Sequence, residues 1–356
     1  KKHIKLGILG ENISNAFKKL KWHCWPSYSA INVKNNYAVN TVNQTYLPLI
    51  KNNVAIKENC RVTKIISNKT TAEGVVYLDK NKNLKTITSR FVILACNGIG
   101  TPRLLLASKN KYFRKGLANS SGLVGKNLML HPLGFAEGLF EKFMNSDFGP
   151  EGCCVYSHQF YETNKRNNFK RGCTLQVLRG NGPLETANYL KKLRILKYGK
   201  DFFKIFFSNY NHTIPIAIIT EDLPSKKNSL ELDYKIKDAW GQPGVKINYK
   251  IQNNTKKNLK FGLDKAIKVL KKAGAKKIIS FAPVKHTGWH LMGTTKMGNK
   301  KNSSVVNKFG QTHDIKNLLI VDSSIFPTSA AVNPVSTSQA LALYIADNLV
   351  KSLNEK

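Results

Sequence analysis

The chain of 356 residues carries a formal net charge of +36, 42% hydrophobic residues and a mean hydropathy of −0.31. It is long enough for one large or two ordinary domains with buried cores, and no stretch reaches the roughly 18 apolar residues of a membrane-spanning helix. The charge invites a polyanion partner, but only eight of the 57 cationic side chains are arginine and the lysines are scattered, so a solvated surface is expected and a specific nucleic-acid site is not.

The first residues, Lys1-Lys2-His3-Ile4-Lys5, are basic but lack a continuous apolar run behind them, so no signal peptide is visible. A helix is predicted over 41–50. Short alternating strands follow at 54–57, 61–67, 74–78 and 85–89, joined by polar turns. The run Phe91-Val-Ile-Leu-Ala95 breaks that alternation and predicts a strand buried on both faces of a parallel sheet. Cys96-Asn-Gly-Ile-Gly100 turns the chain. A helix is expected next, with Thr101 as N-cap and Pro102 at the first helical position. Gly98 and Gly100 form half of a dinucleotide-binding fingerprint, but Arg103 stands where its third glycine belongs.

Further along, a second block begins near Ser120. Residues 133–250 mix strands with a lysine-rich helical stretch near 187–205. Leu259, Leu263, Ala266, Ile267 and Leu270 recur at helical spacing, with Gly274 as the stop. From about Phe281 the chain returns to the first block. Leu318-Leu-Ile-Val321 is a second continuous apolar strand, and Asn333-Pro334 starts a last helix whose Leu341, Ala342, Ile345 and Leu349 can face a core.

Chemistry concentrates in that last part. His290-Leu-Met-Gly-Thr-Thr-Lys-Met-Gly298 and Asn333 sit on turns on either side of a buried strand, a way to aim an imidazole and an amide at one point. Imidazole suits a base near neutral pH, and Gly293 allows close backbone approach. Asn333 also suits a plain helix start, and Asp322 a plain turn cap. His286 lies four residues before His290, but Thr287-Gly288 breaks the helix a metal pair would need. The six cysteines form neither C-x-x-C nor zinc spacing with histidine. No metal is expected, and idle thiols fit a reducing compartment, with the cytoplasm favoured.

The segments 290–298, 319–328 and 333–334 together resemble the C-terminal signature of the glucose–methanol–choline (GMC) flavoprotein oxidoreductases. Residues 92–108 resemble the family's second, glycine-rich signature, with Lys109 in place of its usual glycine, and 121–132 its linker. The resemblance covers most of the chain. It implies a mixed α/β fold: a partial FAD-binding, Rossmann-like domain over 1–118 and 281–356, and a substrate domain with an antiparallel sheet flanked by helices over 119–280. It implies FAD-dependent oxidation of an alcohol CH–OH donor, such as a sugar, a polyol or a choline-like alcohol. His290 would be the base and Asn333 the partner that holds the substrate oxygen. Val62, Gly98, Asp322, Ser323, Asn333 and Pro334 would meet the cofactor. Oxygen, a quinone or a cytochrome would take the electrons. No complete G-x-G-x-x-G occurs in the sequence. The chain is therefore expected to be the C-terminal two-thirds of such an enzyme, completed by a missing N-terminal half or a partner chain. The alternative is a flavin-free remnant acting as a basic binding module.

Overall fold

The computed structural model describes residues 5–28, 31–32, 37–38, 46–148, 152–179, 182–285 and 287–355. The chain divides into two compact units. One is Lys1–Ala55 with Pro132–Glu221 and Asn253–Thr287; the other is Ile56–His131 with Asp222–Gln252 and Gly288–Lys356. These boundaries fall at other positions than 118 and 280, because the first 55 residues pack with the middle of the chain. Strands and helices are numbered along the whole chain.

The first unit holds α1 (Gly7–Lys19), β1 (Trp25–Pro26), the pair β2 (Ile31–Asn32) and β3 (Tyr37–Ala38), and α2 (Leu47–Ile50). Of the helix expected over 41–50, residues 41–45 lie outside the described residues. The unit's main sheet combines β1 with β8 (Leu133–Leu139), β9 (Gly152–Phe160), β10 (Cys173–Arg179), β11 (Thr213–Thr220) and β14 (Lys277–Phe281). Its order is β1-β9-β10-β11-β8-β14, antiparallel throughout. All eight residues of β11 are buried, as a central strand covered on both faces requires.

The long helix α6 (Asn253–Ala273) lies against that sheet. Leu259, Ala266 and Leu270 of the expected stripe are buried, and Leu263 and Ile267 flank them. Gly274, at φ +98°, ends it, and the Ala275 N–H returns to the Leu270 carbonyl, satisfying a terminal acceptor. α1 joins the same core through Leu9, Ile13 and Phe17. Truncating fully buried Ile218 there to alanine would cost about 2–5 kcal/mol. The lysine-rich stretch forms two short helices, α4 (Pro183–Lys192) and α5 (Phe202–Phe207), with Gly199 at positive φ between them.

In the second unit, β4 (Arg61–Ser67), β5 (Ala72–Leu78) and β6 (Leu84–Thr88) form an antiparallel meander. The Asn68 side chain accepts from the N–H groups of Thr70 and Thr71, and that of Asp79 from Asn81 and Asn83, so each polar turn caps itself. Residues 54–57, expected as a strand, are irregular and exposed, and the division between the units falls within this stretch of sequence, after Ala55. The two apolar runs form strands, and β7 (Val92–Leu94) pairs in parallel with β15 (Leu318–Ile320). β15 is buried throughout, but β7 is not buried on both faces. Ile93 is 52% exposed because only one face of this strand packs into the core of Leu105, Met129, Met292 and Ile325. The hairpin β12 (Ser229–Lys237) and β13 (Pro243–Asn248) turns at Asp238, whose carboxylate accepts from two turn N–H groups and pairs with Arg103 and Arg61.

Helix α3 (Asn97–Ala107) begins four residues before its expected N-cap and carries Pro102 inside it. It can start early because the Asn97 side chain accepts from the N–H groups of Ile99 and Gly100. Helix α7 (Val335–Asn354) begins one residue later than expected, with Pro334 rather than Asn333 at its N-cap. Ile345 buries into the unit's core, with Leu341 and Leu349 against it. No helix of the described residues is long and apolar enough to cross a membrane.

Candidate active site

The motif segment 290–298 lies in the second unit, held from both sides. On one side Met292 exchanges both backbone hydrogen bonds with Met129, at 3.0 and 3.1 Å, and the Thr294 carbonyl accepts from Gly125. On the other, the N–H groups of Gly293, Thr295 and Met297 donate to the carbonyls of Ser323, Ser324 and Ile325. Gly293 has φ +86°, and a Cβ there would stand 2.4 Å from the Asn127 carbonyl oxygen, so only glycine fits. Thr294 and Thr295 are fully buried.

Gly98 meets this segment edge-on. A Cβ at Gly98 would sit 2.4 Å from the Leu291 carbonyl oxygen. Pro102 has no N–H to offer the Gly98 carbonyl one turn back, so that carbonyl accepts the Thr294 hydroxyl instead, at 2.7 Å. The proline in the helix thereby creates the acceptor that ties it to the histidine segment.

Asp322 and Ser323 close the third side. The Asp322 carboxylate accepts from the Thr101 hydroxyl at 2.5 Å and from the Ser324 N–H at 2.8 Å, capping the short 3-10 turn Ser323–Ile325. Ser323 donates its hydroxyl to the Leu291 carbonyl at 2.6 Å. Gly98, Asp322, Ser323 and the backbone beside His290 are thus knitted together by direct contacts.

Antiparallel pairing of Met129 with Met292 puts residues 131 and 290 opposite each other. His131 Nδ1 lies 2.8 Å from His290 Nδ1, with the rings edge to face at 84°. His131 is 2% exposed and has φ +49°. Burial, then the neighbouring His290, pushes its pKa down to about 3, so it is neutral at ordinary pH. His290 is half-buried, and burial lowers its pKa as well. Two neutral imidazoles therefore share one hydrogen bond. Sequence reading assigned His131 to the linker motif alone. The signal that marks it is its register with His290, which only the pairing of Met129 with Met292 reveals.

The remaining expected residues lie in the same unit. Val62 is on β4, 37% exposed, paired with Tyr77. Asn333 is exposed just before α7, and Pro334 caps the helix through its carbonyl, which accepts from Ser338. His286 lies outside the described residues. Among the described residues, no group of three His, Cys, Asp or Glu side chains is arranged to hold a metal ion.

Comparison with known proteins agrees with this architecture. Family models of GMC oxidoreductase match residues 5–133 and residues 224–342. The 2-methyl-1,2-propanediol dehydrogenase of Mycolicibacterium austroafricanum is 33% identical over 378 residues, covering 99% of this chain and 68% of that protein. The fructose dehydrogenase large subunit of Gluconobacter japonicus is 29% identical, covering 79% of this chain and 51% of that protein. In fold, the crystal structure of pyridoxine 4-oxidase from Mesorbium loti matches with a TM-score of 0.67 at 12% identity, over 97% of this chain and 71% of that one. The chain belongs to the GMC oxidoreductase family, whose members oxidise CH–OH groups and generally bind FAD. It spans about two-thirds of the length of the first of these relatives and about half of the second.

Proposed function

We propose that this chain binds FAD and oxidises the CH–OH group of a small alcohol, with His290 as the base. The observation that carries the reading is the imidazole itself. It is kept neutral by burial, hydrogen-bonded on one nitrogen, and fixed on a segment braced by Gly98, Ser323 and Met129. FAD, when bound, would supply the hydride acceptor for this oxidation. His290 takes the hydroxyl proton, and Asn333 holds the substrate oxygen in line for that transfer.

The residues present suit such a cofactor. α7 is a 20-residue helix with no acidic side chain in its first turn and no side-chain cap at its N-cap, so its positive end favours negative charge held there. Asp322 and Ser323 offer a carboxylate and a hydroxyl to the polyhydroxy part of the cofactor. Gly98 and Val62 would meet it through their backbone. The likeness to proteins named for a propanediol and for fructose favours a polyol or sugar as substrate. Likeness to a protein named as a large subunit favours a partner chain as the electron acceptor.

The direct test of the cofactor is the visible spectrum of the purified chain after FAD is added and the excess is removed by desalting. Flavin absorbance retained at near one equivalent is the expected result. A folded but colourless protein would overturn FAD binding by this chain alone.

A further inference from the structure

The short helix α5 reads Phe202-Phe-Lys-Ile-Phe-Phe207, so it carries two aromatic stripes at i, i+4 spacing. One stripe is Phe202 with Phe206, which stacks onward to Tyr210. Phe206 is buried in a small core with Leu139, Tyr189 and Leu190. The other stripe, Phe203 with Phe207, stacks at 6.4 Å and faces outward, 69% and 66% exposed. Tyr198, 84% exposed, stacks on Phe202 at 5.8 Å and extends the aromatic surface into the loop before α5. A surface helix with one face in a core ordinarily turns polar side chains to water on the other. Here the outer face is aromatic as well, and a contiguous exposed patch of this kind marks an interaction site.

The rim of the patch is basic. Lys191, Lys192, Arg194, Lys197, Lys200 and Lys204 are all exposed, and the acidic residues of 183–210 are Glu185 and Asp201. Lys191 lies over the Tyr198 ring at 5.9 Å and Lys192 over the Phe281 ring at 5.3 Å, so charge and aromatic surface are interleaved. Lysine stems lie along such a surface while their ammonium groups reach past it.

Composition selects the occupant. A second copy of this chain would bring one basic rim against another in a protein of net charge +36. Interfaces with other proteins favour arginine and are depleted in lysine, whereas five of these six cations are lysine. An anionic bilayer asks for no fork. Aromatic rings settle at its headgroup boundary, and lysines meet its diffuse negative charge.

We propose that the surface of α4, α5 and the loop between them docks on anionic lipid, with Tyr198, Phe203 and Phe207 entering the boundary between headgroups and acyl chains and the surrounding lysines holding the headgroups. The docking is peripheral. It lies wholly within the first unit and needs no spanning helix.

The test is co-sedimentation of the purified chain with sucrose-loaded vesicles, either phosphatidylcholine alone or equal parts phosphatidylcholine and phosphatidylserine. The chain should pellet with the mixed vesicles and stay in solution with phosphatidylcholine. A chain of this charge is drawn to any anionic surface, so the deciding variants hold charge constant. Phe203→Ser with Phe207→Ser should weaken partitioning at least about tenfold. Phe203→Trp with Phe207→Trp should retain it, and the added tryptophan emission should move to the blue with mixed vesicles.

Position of charge is tested separately. Lys197→Ala with Lys200→Ala should weaken partitioning roughly tenfold. Lys256→Ala with Lys260→Ala removes the same charge from α6, which packs on the other face of the sheet, against Ala136 rather than Leu139. That pair should cost about twofold or less. All the substituted side chains are exposed, so circular dichroism should match wild type throughout. Partitioning of the serine variant equal to wild type, or equal losses from the two lysine pairs, would overturn the proposal in favour of attraction spread over the whole surface. Dimers that depend on Phe203 and Phe207, without vesicle binding, would overturn it in favour of a face between copies.

Discussion

Thr294 donates its hydroxyl to the carbonyl of Gly98, 196 residues away in sequence, at 2.7 Å. The bond exists because Pro102 cannot claim that carbonyl for α3, and it fastens the helix start to the histidine segment. Thr294→Val removes the donor and leaves a buried carbonyl unpaired, which should cost about 1–3 kcal/mol. Gly98→Ala drives a Cβ against the Leu291 carbonyl and should cost at least as much. Urea midpoints with unchanged m-values would measure both. A midpoint equal to wild type for Gly98→Ala would mean the two segments do not meet as described.

Gly293→Ala should be worse for function than for overall stability. The substitution strains a backbone at φ +86° and pushes on the Asn127 carbonyl, two residues before Met129. It should disturb the Met129–Met292 bridge and with it the opposition of His131 and His290. Flavin-loaded Gly293→Ala is expected to lose at least tenfold in kcat/KM, checked by steady-state assay beside a circular dichroism melt.

Acid should destabilise the fold through buried histidine. His131 has a folded-state pKa near 3 against an ordinary 6.5. The unfolded chain therefore binds the extra proton between these values and the folded chain does not. The stabilisation is fully present above about pH 6.5 and is lost as pH falls through that window, by at most about 1.4 kcal/mol per pH unit for one proton. His290 and His158, both lowered first by burial, act with the same sign. Urea midpoints between pH 7.5 and 5 should fall, and the slope should be shallower in His131→Asn. An equal slope in that variant would place the titration elsewhere.

Catalysis should follow the same sign. A base works when neutral, and burial lowers the pKa of His290. For flavin-loaded protein, kcat/KM on an alcohol should rise with pH to a plateau, with its midpoint below the ordinary 6.5. A midpoint above that value would contradict the burial effect.

Periodicity made much of the fold legible. Alternation located β4 to β6, helical spacing located α6 and its glycine stop, and two apolar runs located the strands β7 and β15, whose parallel pairing only the structure shows. What stayed hidden depends on partners distant in sequence. The start of α3 looked four residues later because Thr101-Pro102 imitates a helix start, while the Asn97 side chain does the capping. Ile93 read as buried because the composition of a strand does not say how many elements cover it. In the site, the motif residues His290, Asp322 and Ser323 were legible by kind. Their bracing by Thr101, Thr294 and above all His131 was not, since it arises from strand register rather than spacing.

The measurement closest to the central claim is anaerobic reduction of the flavin in the loaded chain by a panel of small alcohols, polyols and sugars, run with His290→Ala at matched flavin content. Wild type should bleach the flavin with at least one substrate class, and His290→Ala should do so about 100-fold more slowly or less while holding its flavin. Equal bleaching rates in the two proteins would show that His290 is not the base.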